Sequence, residues 1–257
     1  MLIDTHCHLY LEEFKKDIDE VILNAQKNEV QQFFLPAINS ETTEALLKLE
    51  EKFPNHCFAM MGLHPCYVKE NFQDELDFVA SWLKKRKFAA IGECGLDFYW
   101  DKTFIKEQYI VLEKQIEWAL EYNVPLILHT RSATQETIDV IKKYKTENLK
   151  GIFHCFGGSM EEANQIIELG FYLGIGGVIT YKNAGLDIVM KELDLKHIVL
   201  ETDAPYLSPV PFRGKRNESK YLLTIAEKIA TIKNCSLEEI KSITTHNANK
   251  LFHSINE

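Results

Sequence analysis

The sequence predicts a (β/α)8 TIM-like barrel, on the evidence of a repeating strand–helix pattern and a fitting length. Eight short apolar or β-branched runs alternate with helical patterns, and they begin near Leu2, Gln32, Cys57, Phe88, Leu126, Gly151, Phe171 and His197. Parallel neighbouring strands need such crossover helices, because tight hairpins join only antiparallel strands. Eight such units in 257 residues match this type of barrel. An open doubly wound sheet also alternates strands with helices, and the strand count alone does not exclude it.

The helical segments carry apolar residues spaced three or four apart, which places them on one face of a helix. These sets are Phe14, Ile18, Val21, Ile22 and Ala25; Tyr109, Leu112, Ile116, Ala119 and Leu120; and Leu222, Ile225, Ala226 and Ile229. Ser159 and Ser236 each stand three residues before a glutamate, which predicts capping boxes. The segment from Gly174 to Gly177 lacks the spacing of a phosphate loop and predicts a close backbone approach after strand seven. Three of the seven prolines lie between Ala204 and Pro211, which predicts an extended loop.

No linker or change of composition divides the chain, and we therefore expect one domain over residues 1–257. The net charge of −9 argues against a protein held on nucleic acid by bulk positive charge, although a local basic rim is compatible with it. The first residues lack the pattern of a signal peptide, and no run approaches the roughly 18 apolar residues of a membrane span. The six cysteines include no C-x-x-C pair. We expect a reduced cytoplasmic protein, monomeric and without a membrane contact.

Side chains that bind metal ions stand at the ends of five predicted strands: His6, His8, Glu93, His129, His154 and Asp203. In a barrel these ends converge on one mouth, where active sites of this fold lie. His6 and His8 flank Cys7, so their imidazoles point the same way along an extended strand. Imidazole nitrogen and carboxylate oxygen suit zinc, manganese, iron or nickel better than calcium. Six ligands exceed the need of one tetrahedral ion, whereas two ions bridged by a carboxylate would use them all.

A single histidine at a strand end is more often a packing residue than a metal ligand, and we interpret four others in that way: His56, His197, His246 and His253. Six candidates at five strand ends are a different case. Buried carboxylates repel each other, and unpaired imidazoles lose their solvation, unless cations compensate them. The sequence therefore predicts a metal centre at the barrel mouth.

Five motifs in order along the chain together resemble the TatD family of metal-dependent deoxyribonucleases, which lies within the amidohydrolase-like barrel superfamily. They are Asp4–Leu9 (DTHCHL), Gly62–Pro65 (GLHP), Gly92–Asp97 (GECGLD), Glu201–Pro205 (ETDAP) and Arg213–Glu218 (RGKRNE). Each motif alone is weak, but the ordered set is specific and spans essentially the whole chain. The chain departs from the usual family pattern at Ser219, where proline is common, and at Ala248 and Lys250, where threonine and arginine are common.

The resemblance implies a barrel hydrolase that uses divalent metal ions to cleave DNA phosphodiester bonds, in several members as a 3′→5′ exonuclease. It implies that one ion is held by His6, His8 and Asp203. The other ion would be held by His129 and His154. Glu93 would bridge the two ions and His64 would contact the substrate phosphate. The ions would be Mg2+, Mn2+ or Zn2+. Glu93 stands where many relatives in the wider superfamily have a carboxylated lysine, which favours the deoxyribonuclease-like branch.

Asp203 is the best candidate to orient the attacking water and carry its proton. The substrate side is indicated by arginines, which match phosphate with a planar fork. Arg213 and Arg216, with Lys215, either grip the DNA backbone or brace their loop through carboxylates such as Glu218. Arg131 either contacts the substrate or pairs with Glu93 or Asp203. Tyr206 lies close enough in sequence to Asp203 to reach a phosphate oxygen. Tyr99 and Trp100 either stack on unpaired bases or cover the barrel rim.

Three functional hypotheses follow. The leading one is a DNA hydrolase acting on a strand end, with single-stranded DNA favoured. The second keeps the same metals but cleaves an ester or amide, as in an aminoacyl-tRNA deacylase or a small cyclic amidohydrolase. The third is a nucleic-acid-binding module without catalysis, against which the intact set of six candidate ligands argues. An open cleft edged by arginines and aromatic rings would favour the first, and a closed pocket the second.

Overall fold

The computed structural model describes residues 1–144 and 148–252, in which eight strands alternate with helices. The strands are β1 Leu2–Asp4, β2 Val30–Pro36, β3 Cys57–Met60, β4 Ile91–Asp97, β5 Leu126–Arg131, β6 Gly151–Phe153, β7 Tyr172–Ile175 and β8 Ile198–Leu200. The helices are α1 Ile18–Lys27, α2 Ser40–Lys52, α3 Phe72–Lys85, α4 Ile105–Glu121, α5 Thr134–Lys143, α6 Met160–Glu168, α7 Leu186–Glu192, α8 Leu222–Lys233 and α9 Leu237–Phe252.

Every strand pair is parallel, and strands that follow each other in the chain are neighbours in space. The ladders form one run of β1 to β3 and a second run of β4 to β8. Hydrogen bonds cross both gaps between the runs: the Ala89 N–H donates to the Ala59 carbonyl at 2.9 Å, and the Thr5 N–H donates to the Leu200 carbonyl at 3.0 Å. This order confirms the predicted (β/α)8 barrel and excludes the doubly wound sheet, whose strand order reverses at one point.

The strands separate two apolar layers, because successive side chains of a strand point to opposite faces. One layer fills the space between strands and helices. The other is a smaller cluster from alternate strand positions, and it consists of Ile3, Phe34, Met60, Ala90, Ile127, Ile152 and Val199, with Ala248, Leu251 and Phe252 of α9. The ring of Phe252 stacks on Phe34 with centroids 3.7 Å apart. The last helix therefore packs against the barrel interior.

The local signals in the sequence mostly match the structure. The Ser159 hydroxyl accepts from the Glu162 N–H at 3.2 Å and the Glu162 carboxylate accepts from the Ser159 N–H at 2.7 Å, which confirms that capping box. The Ser236 hydroxyl accepts from the Glu239 N–H at 3.1 Å. Residues 201–218 contain no strand or helix, as expected of the proline-rich loop.

Two element boundaries differ from the expected positions by three residues or more. Phe14 lies in a separate short 3-10 turn before α1, because α1 begins only at Ile18. The strand β4 begins at Ile91, three residues after the predicted start at Phe88. Within residues 1–144 and 148–252, none of the helices combines the length and apolar character needed to cross a bilayer.

Gly151 is the position where the sheet leaves no room for a side chain. A Cβ atom there would lie 1.9 Å from the Leu126 carbonyl oxygen of the paired strand β5. We predict that Gly151→Ala lowers the free energy of unfolding by about 1–3 kcal/mol or more, as overpacking does. Gly157→Ala is the matched control, because a Cβ there has nothing within 4 Å. Urea unfolding of both variants measures the difference, and equal midpoints would contradict this account of the β5–β6 contact.

Candidate metal centre

The six candidate ligands converge at the carboxyl ends of the strands, although fewer of them lie within strands than the sequence suggests. Glu93 lies in β4 and His129 in β5, whereas the others follow their strands: His6 and His8 after β1, His154 after β6 and Asp203 after β8. A cavity of about 800 Å³ opens onto this set, and all but His6 line it. His6 is fully buried beneath it.

The Glu93 carboxylate is the centre of the cluster. Its Oε2 atom lies 3.1 Å from Nε2 of His6 and 3.3 Å from Nε2 of His8. Its Oε1 atom lies 3.0 Å from Nδ1 of His129 and 3.0 Å from Nε2 of His154. The Nε2 atom of His64 is 3.3 Å from the same oxygen. Five imidazoles therefore surround one carboxylate whose side chain is only 3% exposed.

The candidate donors fall into three groups whose ligand atoms lie within 4.8 Å of one another. The groups are His6, His8 and Asp203; His6, Glu93 and His154; and His64, Glu93 and His129. The first is the set predicted for one ion. The predicted partners His129 and His154 are divided between the other two groups. His64, predicted as a phosphate contact, lies among the donors themselves.

Asp203 is held beside His6 by the backbone as well as by its side chain. The Asp203 N–H donates to the His6 carbonyl at 2.9 Å, and the residue takes a left-handed conformation with φ 56°. Non-glycine residues in this conformation are uncommon and concentrate at functional sites. The Asp203 carboxylate lies 3.5 Å from Nε2 of His8 and 3.7 Å from Nε2 of His6.

A second layer of polar groups orients the histidines, and the sequence did not identify it. The Tyr10 hydroxyl donates to the Pro36 carbonyl at 2.6 Å, which leaves its oxygen to accept from Nδ1 of His8 at 3.1 Å. In the neutral form of His8, that bond places the proton on Nδ1 and leaves the lone pair on Nε2, which faces the cluster. The Asp97 carboxylate lies 2.9 Å from Nε2 of His129.

Glu201 orients His154 as Asp97 orients His129. Its Oε1 atom lies 3.3 Å from Nδ1 of His154 and accepts from the Cys155 N–H. A Cβ atom at Gly174, within β7, would lie 2.1 Å from Oε2 of Glu201. A Cβ atom at Gly177 would lie 2.1 Å from the Leu207 carbonyl oxygen, which confirms the close backbone approach predicted at the end of strand seven. Asp97 ends the motif GECGLD, which also contains Glu93, and Glu201 begins the motif ETDAP, which also contains Asp203. Their position in the motif was the available signal.

Burial and mutual contact shift the protonation of these groups. Burial alone would raise the pKa of Glu93, but the surrounding imidazoles hold it well below its ordinary value. Burial, together with the neighbouring His154, lowers the pKa of His6. Burial would also lower the pKa of His8, yet its hydrogen bonds to Asp203 and Glu93 raise it to about 9. An ionised carboxylate thus faces a neutral His6, and a neutral imidazole keeps a lone pair on one ring nitrogen that can bind a metal ion.

The donor chemistry fits divalent cations. Nε2 of His6 and Nε2 of His8 lie 3.3 Å apart, and at most one proton can sit between them. The ring nitrogens of His129 and His154 face the same carboxylate, whose ionised oxygens only accept hydrogen bonds and so offer nothing to an imidazole lone pair. A cation accepts lone pairs from every one of these atoms, and nitrogen with carboxylate oxygen is a donor set suited to zinc, manganese or iron.

The two arginines predicted to bind substrate, Arg213 and Arg216, differ in their contacts. Arg216 forms two hydrogen bonds with the Asp17 carboxylate, at 2.9 and 2.7 Å, and a third with Glu218 at 3.2 Å. The geometry therefore favours the bracing role for Arg216 over a grip on DNA. Arg213 is exposed and lies 4.3 Å from the centre of the Tyr181 ring, and within residues 1–144 and 148–252 no carboxylate pairs with it.

Arg131 does not pair with Glu93 or Asp203, and that expectation was wrong. Its guanidinium instead lies over the rings of Tyr99, at 4.1 Å, and Trp100, at 5.0 Å. The reason is strand register, since Arg131 ends β5 beside the segment that leaves β4. Tyr206 is 50% exposed, and its ring centre is 6.2 Å from that of His8 at the edge of the cavity.

Among the histidines interpreted as structural, His56 is held by local hydrogen bonds. Its Nδ1 donates to the Gln31 carbonyl at 2.8 Å, far from the cluster in the chain. Burial lowers the pKa of His197, which closes a short helical turn before β8. His253 lies outside the described residues.

The barrel and its clustered imidazoles and carboxylates define a metal-dependent hydrolase. A sequence profile described as "TatD related DNase" matches residues 3–253. The chain belongs to the TatD family.

An uncharacterized metal-dependent hydrolase of Bacillus subtilis, YabD, is 39% identical over 98% of this chain and 99% of its own length. YcfH of Escherichia coli, also described as an uncharacterized metal-dependent hydrolase, is 32% identical over 98% of this chain and 96% of its own length. The crystal structure of the E. coli TatD homologue YjjV superposes with a TM-score of 0.93 and 29% identity, over 98% of each chain.

Asp97→Asn tests whether the second layer supports metal binding. The Oδ1 atom of Asp97, which accepts from the N–H groups of Tyr99 and Trp100, is retained as the amide oxygen. The group facing His129 changes from an acceptor to a donor. We predict a loss of about 10–100-fold in the affinity of one divalent ion, the range for such partners. Calorimetric titration of chelator-treated protein with Zn2+ or Mn2+ measures it. Asp101→Asn, at a half-buried ion pair with Lys69, is the control, and equal affinities in both variants would exclude this role.

Proposed function

We propose that the protein is a deoxyribonuclease that hydrolyses DNA phosphodiester bonds, acting 3′→5′ from single-stranded ends with two divalent ions. The observation that carries this proposal is the Glu93-centred cluster, in which donors for more than one ion share a single carboxylate. The family profile, described as that of a DNase, supports the same substrate class. Mg2+, Mn2+ and Zn2+ are the candidate ions.

In this proposal His6, His8 and Asp203 hold one ion. His129 and His154 hold the second, and Glu93 bridges both. The pairing of His129 with His154 is supported by their distances to Glu93: Nδ1 of His129 and Nε2 of His154 each lie 3.0 Å from its Oε1 atom. Ions bound at such sites lower the pKa of water toward neutrality and offset charge on the phosphoryl oxygens.

The side chains of this chain contribute positioning and proton transfer. Asp203 is the proposed acceptor of the proton from the attacking water, because its carboxylate lines the cavity and is ionised: burial would raise its pKa, but His8 and its neighbours lower it. His64 binds a non-bridging phosphate oxygen. Its Nδ1 accepts from the Cys66 N–H at 3.0 Å, so the proton of a neutral ring is on Nε2, the atom that faces the cluster.

The test begins with chelator-stripped protein, a 3′-labelled single-stranded oligonucleotide, and Mg2+, Mn2+ or Zn2+ added singly. We predict release of labelled mononucleotide with at least one ion, and a fall in kcat of about 100-fold or more in Asp203→Asn, the scale of a lost general base. A 5′-labelled copy reports the polarity as a ladder of shortened strands. If the protein binds two ions and none supports cleavage, the DNA assignment is wrong. Aminoacyl esters and small cyclic amides would then be the substrates to examine.

Arg213 and Arg216 form a matched pair of variants. Arg213→Ala should raise KM for DNA and reduce the slope of log KM against log salt by about 0.7, the value for one single-strand phosphate contact. Arg216→Ala should leave that slope unchanged and lower the urea midpoint. The Arg216 hydrogen bonds hold the pKa of Asp17 below its ordinary value, so their stabilisation is present at neutral pH and lost as acid protonates Asp17. An unchanged KM for Arg213→Ala would assign that residue to loop structure.

A further inference from the structure

Two exposed aromatic rings stand beside the metal cluster and have no structural role that accounts for them. Trp100 is 66% exposed and Tyr99 is 56% exposed, which makes them two of the most exposed large apolar side chains in the described parts of the chain. Trp100 also lines the cavity that opens onto Glu93 and His129. Large rings left in water at the edge of a functional cavity mark a contact surface.

The position of these rings is fixed relative to the metal cluster. The Oδ1 atom of Asp97 accepts from the N–H groups of Tyr99, at 2.9 Å, and Trp100, at 3.0 Å. The Oδ2 atom of the same carboxylate lies 2.9 Å from Nε2 of His129. One side chain thus connects a candidate metal ligand to the aromatic segment.

Two further contacts hold the segment from its other sides. The Lys69 ammonium pairs with the Asp101 carboxylate at 2.6 Å, directly after Trp100. The Phe98 N–H donates to the Arg131 carbonyl at 2.9 Å, which ties the segment to the end of β5. A surface that is held in this way can bind without first being ordered, which lowers the entropic cost of association.

Arg131 completes the surface. Its guanidinium lies over both rings, at 4.1 Å from Tyr99 and 5.0 Å from Trp100, and no carboxylate in residues 1–144 or 148–252 forms an ion pair with it. A guanidinium stacked on a ring keeps its in-plane N–H donors for another partner. The surface therefore combines flat π faces with an uncompensated cation that suits phosphate.

We infer that Tyr99, Trp100 and Arg131 form a subsite for an unpaired nucleobase and its phosphate, next to the metal centre. This inference rests on the proposed nuclease function and specifies how the strand is held. Flat rings with an adjacent cation are the features by which proteins bind single strands without sequence preference, because every base has a stackable face. Paired bases do not offer that face, so the subsite selects unpaired strand ends.

The test compares Trp100→Ala with Trp82→Phe, which changes a tryptophan on α3. Each metal-loaded enzyme is given a single-stranded oligonucleotide, and a second copy that carries abasic sites at its 3′ end. We expect wild type and Trp82→Phe to favour the base-bearing strand in KM by about 5–100-fold, the scale of one stacked base. Trp100→Ala should reduce the ratio of KM values for the two strands toward 1, and Trp100→Phe should recover most of the preference.

Binding is measured in parallel by quenching of tryptophan fluorescence, on Asp203→Asn protein titrated with the same two oligonucleotides. Quenching by the base-bearing strand that disappears in Trp100→Ala supports the subsite. If wild type cleaves DNA and Trp100→Ala keeps the full preference for bases, the subsite is wrong and the nuclease function stands. If base-bearing DNA binds and quenches the fluorescence but wild type does not cleave it, the nuclease function is wrong and the subsite stands. Absence of both binding and cleavage overturns both.

Discussion

One buried carboxylate organises the mouth of this barrel. Glu93 has five imidazole nitrogens within 3.0–3.3 Å of its two oxygens, and almost no access to water. An ionised group in such a place is stable only when opposite charge or hydrogen-bond donors surround it. The five histidines lie at or shortly after the ends of strands distributed around the barrel, so the carboxylate also fixes where those strand ends must stand.

The arrangement carries an energetic cost that a bound cation would relieve. Imidazoles that have lost their water crowd one another, and His6 is held neutral by burial and by its neighbour His154. Tyr10, Asp97 and Glu201 keep the rings oriented from behind, so the donors are pre-organised before any ion arrives. A pre-organised cluster does not have to be assembled at the moment of metal binding, which lowers the cost of binding.

The same strand ends that hold the cluster also shape its surroundings. Asp97 faces His129 with one oxygen and fixes the aromatic segment with the other, while Arg131 of the adjoining strand covers the rings. The chain as a whole carries a net charge of −9, so attraction for a phosphate chain has to be local. In the proposed function Arg213 and Arg131 would supply that local attraction, whereas Arg216 is engaged in holding its loop.

The sequence by itself determined the repeat of strands and helices, and it identified the six residues that meet at the mouth. Those features depend on local periodicity and on the convergence of parallel strands, which residue order encodes directly. Only the tertiary structure decided the roles of individual polar groups. It placed His64 beside Glu93, assigned Arg216 to Asp17, and placed Asp97 and Glu201 behind the histidines. These partners come from elements far apart in the chain, and their pairing depends on register and side-chain packing that no local pattern specifies.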